Sequence, residues 1–476
     1  MGATRAWRGR RDIPAACANL LCVGGWLLVA STVGCGDGDV AGGAEQGQEA
    51  SGDTDDADAT GEGADASEGG SGGADAGEDG PVSCGLDAGA LPFEEGAYIP
   101  QGESHTATRD FCTGSMHAVA GAAGSVLGVT LSDWPAGEVA RVRVENLLGE
   151  PIVDWTDAVA GDTLSVSPPL SGEVLVRIEP TDPEAATHDY TLSVACEDGC
   201  DLEYTRYPVL LMHGMAGTET YINVLDYWFQ MEAVILPPGF NVQIRVVEAF
   251  QGTEVRGQQW IAHVEAMIDE GIGRRFNLIG HSQGGLDARL ITASPALAGR
   301  ISSVVTVASP HQGTPAAEVL NGTFEAFPIG AEVADALAGT LGGLLGLSGD
   351  DLVAQIADFT PEAMVAFNAA YPDVPGVYYA SWAGHSCGAL DFPCQLANNG
   401  EVVDTLFAIP HGFLLLASGD NDGLVPVQSA QWGDYQGTVP ADHMDEVGQI
   451  ADVFNPAFDH KQFYLGEIRR LAALGH

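Results

Sequence analysis

Basic charge is what this chain of 476 residues most lacks: it has one lysine, Lys461, and 18 lysines and arginines in all against 66 aspartates and glutamates, a formal net charge of −48. So acidic a surface repels polyanions, which excludes nucleic acid and an anionic membrane surface as charge-held partners. A GC-rich coding bias toward Arg, Ala, Gly and Asp accounts for the missing lysine, so the acidity alone points to no function. Metal-ligand spacing is also scarce. Cys196 and Cys200 have no second ligand pair nearby, which excludes a zinc ribbon or finger. Asp420-Asn421-Asp422-Gly423 runs into Leu424 without the later oxygen ligands of an EF-hand.

Apolar residues are nearly missing from Gly36 to Ser83, where Gly, Ala, Ser, Thr, Asp and Glu dominate and no Lys or Arg occurs. Such a stretch cannot bury a core, and residues 36–83 are expected to be a disordered acidic linker. Ahead of it stand Arg5, Arg8, Arg10 and Arg11, an apolar run from Ala15 to Val29, and Ser31-Thr32-Val33-Gly34-Cys35. That is the layout of an export signal. Its ending resembles a bacterial lipoprotein signal, which implies lipidation of Cys35 and membrane anchoring; Thr32 departs from the usual Leu. An uncleaved anchor is the alternative, because the run approaches the ~20 residues needed to span a bilayer. Either way residues 36–476 are expected outside the cytoplasm, lipid-anchored at the surface or outer membrane, or secreted.

Setting aside Cys17 and Cys22 with the signal and Cys35 with the lipid leaves Cys84, Cys112, Cys196, Cys200, Cys387 and Cys394. An even set suits an oxidising compartment. Proximity pairs Cys387 with Cys394, and the other four are expected to staple the region 84–200. Within that region short alternating runs lie between turn residues, among them Ser125 to Leu131, Val139 to Val144, Val174 to Ile178 and Tyr190 to Val194. They predict a small all-β sandwich. Arg109-Asp110-Phe111 at its opening and Asp189 to Val194 at its close resemble the pre-peptidase C-terminal type of bacterial β-sandwich.

From residue 201 onward buried-looking strands alternate with amphipathic helices, the pattern of an α/β domain with a mostly parallel sheet. Strands are expected at Tyr207 to Met212, Val242 to Glu248, a run ending at Ile279, Ile301 to Ala308, Val377 to Trp382 and Phe413 to Leu416. Helices are expected over Val255 to Ile272 and Lys461 to Leu474.

The chemistry sits at Gly280-His281-Ser282-Gln283-Gly284-Gly285, between the apolar Phe276 to Ile279 and the helix-like Leu286 to Ile291. Strand, sharp turn and helix would push the serine hydroxyl out above the sheet end. In a chain with 63 glycines the bare G-x-S-x-G pattern is weak, with on the order of 0.4 matches expected by chance. Gly384-His385-Ser386-Cys387-Gly388 is indeed a second match after an apolar run. Spacing separates the two. The order serine, acid, histidine is met by Ser282, Asp422 and His443, with room between the first two for further strands and helices. From Ser386 to Asp422 the interval is too short, and it contains Pro393, Asn398, Asn399 and Gly400. Two backbone N–H groups should face the developing oxyanion: Gln283 after the nucleophile, and Met215 in the turn His213-Gly214-Met215-Ala216-Gly217. His311 precedes any acid and is read as structural. Residues 315–365, apolar and glycine-rich, either form a lid over an acyl pocket or pack on the sheet.

Tyr207-Pro208-Val209-Leu210-Leu211-Met212-His213-Gly214, Phe276 to Arg289, Ser309 to Thr314 and Asn421-Asp422-Gly423-Leu424-Val425 together resemble the true bacterial lipases of the Pseudomonas and Burkholderia type, over about the last 270 residues. The resemblance implies an α/β-hydrolase fold and a triacylglycerol lipase or carboxylesterase working through an acyl-enzyme on Ser282, Asp422 and His443. A polyester depolymerase or phospholipase of the same fold is the alternative, and a non-catalytic surface-binding lipoprotein is a third reading. The resemblance also implies a structural calcium, with Asp445, Gln449 and Val453 at the spacing from His443 where that family keeps its ligands, and Asp404 as a further carboxylate. No organic cofactor is expected, and a dedicated folding chaperone is an implied partner. Gln428 stands where the family has a disulfide cysteine.

Overall fold

The computed structural model of the protein describes residues 94–108, 114–181, 189–215, 227–345, 353, 356–449 and 457–476. The expected signal and linker, Cys35, Cys84, Cys112, Arg109 to Phe111, Val453 and part of 315–365 lie outside the described residues.

The first folded region pairs two sheets. One, in order β1-β3-β8-β5-β6, comprises Glu94–Ile99, Ser115–Gly121, Gly172–Pro180, Ala140–Glu145 and Pro151–Ala158. The other, β2-β9-β4-β7, comprises Ser104–Thr108, Asp189–Asp198, Val126–Ser132 and Thr163–Val166. Alternation makes the sandwich: Leu127, Val129 and Leu131 of β4 and Val174, Val176 and Ile178 of β8 all point into one core. Cys196 and Cys200 are bonded to each other, a local clasp at the end of β9 rather than a staple across the region.

The second region is built on six strands, all parallel, in the order β11-β10-β12-β13-β14-β15. They are β10 Val209–Met212, β11 Val242–Ile244, β12 Phe276–His281, β13 Ile301–Val307, β14 Tyr378–Gly384 and β15 Asp434–Val439. Val209 and Leu211 face one apolar cluster and Leu210 and Met212 another, so both faces of the sheet are covered. Helices α1 Glu232–Ile235 and, at the far end of the chain, His460–Ala473 cover the first face. Helices α2 Thr253–Asp269 and α3 Gln283–Ala293 cover the second. This is the expected α/β-hydrolase architecture. After β13 come α4 Pro315–Asn321, α5 Ala331–Leu345, α6 Pro361–Ala370, α7 Phe392–Ala397 and α8 Ala408–Ala417, which makes the last helix α9.

One expected strand is a helix. Phe413 to Leu416 lies within α8. Leu and Ala are strong helix formers, no β-branched residue occurs in the run, and four apolar residues carry too little periodicity to separate the two states. The sixth strand is instead β15, whose half-polar Asp-Tyr-Gln-Gly-Thr-Val gives no apolar run. Asp422 therefore follows a helix, in the turn closed by the Asn421–Pro426 bridge.

The two regions are joined by more than chain. Glu173 of β8 accepts from Arg206 Nε at 2.7 Å and from Arg274 Nε at 2.6 Å. Asn241 donates to the Ser171 carbonyl at 3.1 Å, and, within the second region, the Arg206 N–H donates to the carbonyl of His476 at 2.8 Å.

Candidate active site

Ser282 occupies the turn between β12 and α3 with φ 55° and ψ −128°. A non-glycine residue reaches that backbone region only where its surroundings enforce it. The Ser282 N–H donates to Val307 O at 2.9 Å. Glycine is required beside it: a Cβ on Gly284 would overlap the Met212 carbonyl oxygen, and one on Gly280 would lie 2.5 Å from the Gly284 backbone.

His443 Nε2 lies 2.9 Å from Ser282 Oγ, and its Nδ1 lies 2.8 Å from Asp422 Oδ2. The other Asp422 oxygen accepts the N–H groups of Leu424 and Val425 at 2.8 and 2.6 Å. The acid is thus fixed before it orients the base. Three residues from separate elements form one hydrogen-bonded line, in which the histidine can deprotonate a hydroxyl as it attacks a carbonyl carbon and return the proton to a leaving group.

Met215 and Gln283 border the same cavity, of about 90 Å³, which is walled by Ala316, Ala317, Ile356, Phe359 and Leu424. Gln283 opens α3, where backbone N–H groups lack intrahelical acceptors. Side chains from the 315–365 segment therefore both pack inward and wall the cavity.

Sequence reasoning passed over the residues that hold this turn in place. Arg256 is fully buried, pairs with Asp287 at 2.8 Å and donates to the carbonyls of His213 (2.6 Å) and Gly214 (3.3 Å). The Gly214 N–H donates to Tyr227 Oη at 2.9 Å; Tyr227 Oη lies 2.6 Å from His281 Nδ1, and His281 Nε2 lies 2.8 Å from Glu446 Oε2. Burial first, then Asp422, Asp442 and Asp445, push the Glu446 carboxyl well above its ordinary range, while burial and His443 keep His281 well below its own. Glu446 also stands 3.8 Å from His443 Nδ1. No short motif flags a helix arginine or a carboxyl three residues after the base, although His281 inside the serine motif was visible.

The carboxylate oxygens of Asp404, Asp442 and Asp445 lie within 4.8 Å of one another. Asp442 was not among the expected ligands. Gln449 borders the Ser282 cavity, with its Nε2 buried and without a partner among the described residues. Asp442 Oδ1 accepts the Met444 and Asp445 N–H groups at 3.0 and 3.1 Å, and Oδ2 accepts Asp404 N–H at 3.0 Å. Burial chiefly, and also Asp404, push the Asp442 carboxyl up to about 6. Converging hard oxygens suit a calcium ion, whose charge would favour their ionised form.

Ser386 lies elsewhere. It is buried, its hydroxyl donates to Glu401 Oε1 at 2.5 Å, and Cys387, bonded to Cys394, donates its N–H to Glu401 Oε2 at 2.6 Å. His311 is buried between Thr306 (2.9 Å) and Arg289 (3.3 Å).

A triacylglycerol lipase of Pseudarthrobacter phenanthrenivorans is 30% identical to this chain over 292 residues, covering 52% of this chain and 91% of that protein. This chain belongs to the triacylglycerol lipase family. Its relatives include the triacylglycerol lipases of Burkholderia plantarii, 30% identical over 52% of this chain and 81% of that protein, and of Pseudomonas fragi, 29% identical over 57% and 98%. The protein-family profile described as palmitoyl protein thioesterase matches residues 208–339, a span with Ser282 but neither Asp422 nor His443. The lipase is an ester hydrolase.

Proposed function

We propose that this lipase is an extracytoplasmic serine hydrolase of triacylglycerols and related carboxylic esters, working through an acyl-enzyme. The observation that carries it is the continuous hydrogen-bonded line from Ser282 through His443 to Asp422. Ser282 Oγ attacks the ester carbonyl as His443 Nε2 takes its proton; Asp422 stabilises the imidazolium. The N–H groups of Met215 and Gln283 receive the oxyanion in a wall of low polarity, where such bonds stabilise most. His443 then gives the proton to the leaving alcohol, and water repeats the cycle on the acyl-enzyme. The apolar wall of Ala316, Ala317, Ile356, Phe359 and Leu424 suits an acyl chain.

Calcium belongs to the proposal as a structural ion. Asp404, Asp442 and Asp445 would hold it, and when bound it would neutralise the carboxylates and fix the loop that carries His443. The location rests on the signal-like residues 1–35 with Cys35, and on the disulfides.

Hydrolysis of p-nitrophenyl esters and emulsified triacylglycerols tests the reading. Ser282→Ala should abolish both activities and Ser386→Ala neither; a Ser282→Ala enzyme with normal turnover would sink it. Cys35→Ser should release the protein from the membrane fraction, and unchanged association would reject lipidation there.

A further inference from the structure

The residues that lead to Met215, His213 and Gly214, follow β10 and lie in neither a strand nor a helix, so side chains must hold them. Gly214 has no Cβ, and the peptide planes on either side of it are free to rotate unless something outside anchors them. The plane that carries the Gly214 carbonyl and the Met215 N–H is anchored at its oxygen, by Arg256 Nη1 at 3.3 Å. His213 adds to that anchor: its Nε2 accepts the Val247 N–H at 3.0 Å, which leaves the proton on Nδ1, 2.8 Å from the Gly214 oxygen. The plane before it is held at one end by Arg256 Nη2, which donates to the His213 carbonyl at 2.6 Å, and at the other by Tyr227 Oη, which accepts the Gly214 N–H at 2.9 Å.

Tyr227 does more than cap that N–H. A Cβ built on Gly214 would lie 2.7 Å from Tyr227 Oη and 2.8 Å from Ser282 Cβ, so phenol, turn and nucleophile share one tight corner. The same oxygen lies 2.6 Å from His281 Nδ1, and His281 Nε2 lies 2.8 Å from Glu446 Oε2. Glu446 stands three residues after His443, and the rings of His281 and His443 are 4.7 Å apart. A second hydrogen-bonded line thus runs from the turn with Met215, through the residue before Ser282, to the loop that carries the base. An oxyanion donor lowers a barrier only when it is aimed before the charge develops, since turning it during the reaction costs what the bond contributes.

We propose that Tyr227, tied through His281 to Glu446, is a positioning residue that aims the Met215 N–H and keeps it in register with His443. The proposal rests on the reading of Met215 as an oxyanion donor to Ser282 chemistry. Steady-state kinetics of the full chain on soluble p-nitrophenyl butyrate tests it. Tyr227→Phe keeps the ring and removes the oxygen; kcat should fall by about tenfold or more while KM stays within about twofold, because the loss is confined to the transition state. Affinity for an alkylboronic acid should fall by about the same factor, since its boron takes Ser282 Oγ as the proton passes to His443 and becomes a tetrahedral anion. His281→Leu cuts the line at its next bond and should act in the same direction, so either variant that folds tests the proposal. Trp228→Phe is the packing control: Trp228 meets Tyr227 edge-on at 5.4 Å in the same core, and trimming it should lower Tm while leaving kcat within about twofold.

Wild-type kcat and boronic acid affinity in a folded Tyr227→Phe would overturn the proposal. So would a loss carried by KM alone, or an equal loss of kcat in Trp228→Phe, which would make the effect one of packing. A wild-type protein that neither hydrolyses the ester nor binds the boronic acid would overturn the serine reading and this proposal together; an active enzyme indifferent to Tyr227→Phe would overturn this one alone.

Discussion

Ser282 and Ser386 stand in the same Gly-His-Ser-x-Gly pattern, each just after a strand of the same parallel sheet, yet Ser282 takes a φ of 55° beside a histidine while Ser386 is buried against Glu401. The difference lies in what the following residues do. After Ser282, Gln283 starts an eleven-residue helix that crosses β10 closely enough to need Gly284. After Ser386, Cys387 enters a disulfide and the chain turns away through a short helix. A five-residue pattern thus specifies chemistry only where a helix forces the turn and a base meets the hydroxyl.

Removing each hydroxyl breaks the comparison most sharply. Ser282→Ala should cost about 10⁴-fold or more in kcat. Ser386→Ala should leave kcat near wild type and cost about 1–3 kcal/mol of stability by denaturant titration, because Glu401 loses a donor. The matching glycines come next. A Cβ on Gly284 meets backbone oxygen, whereas one on Gly388 meets nothing nearer than His411 Cε1 at 3.9 Å. Gly284→Ala should therefore destabilise by about 2–4 kcal/mol and abolish activity, and Gly388→Ala should do neither.

Calcium gives the next largest effect. At about a hundred times its Kd the ion would add about 2.7 kcal/mol, so chelation should lower Tm in wild type and in Ser282→Ala alike, and Asp445→Asn should be insensitive to it. The smallest effect belongs to Glu401. Burial raises its carboxyl from 4.5 to about 7, against the bonds from Ser386 and Cys387, with Asp442 and Asp404 adding to the rise. The folded state thus holds a proton that the unfolded state has released, and this stability, full below about pH 4.5, is lost as pH rises through about 7. Measured in chelator, Glu401→Gln should flatten that fall by about 1–2 kcal/mol.

Most of the parallel strands were legible because they carry apolar runs bounded by turn residues, as at Val209 to Met212. Ser282, Asp422 and His443 were legible as an ordered set, and the structure brings their side chains together. What escaped was whatever depends on three-dimensional neighbours. Phe413 to Leu416 looks like a strand until Ala316 and Leu337 give it a helix partner. β15 is half polar and is recruited by pairing with β14. Arg256, Glu446 and Asp442 carry no motif, since each is defined by the carbonyl, ring or carboxylate it meets. Cys196 found Cys200 four residues away, a pairing that sequence treats as equal to its rivals until the chain end of β9 turns back.

Glu173 sits on the sandwich and grips Arg206, just before the first hydrolase strand, and Arg274, just before the strand that leads to Ser282. Trimming the chain to a minimal enzyme that starts near Tyr207 would strip Arg274 of that carboxylate and remove Arg206, whose N–H holds the carbonyl of the last residue, His476. The sandwich thus braces the segments that lead into two strands of the hydrolase sheet, and shortened versions should begin upstream of it.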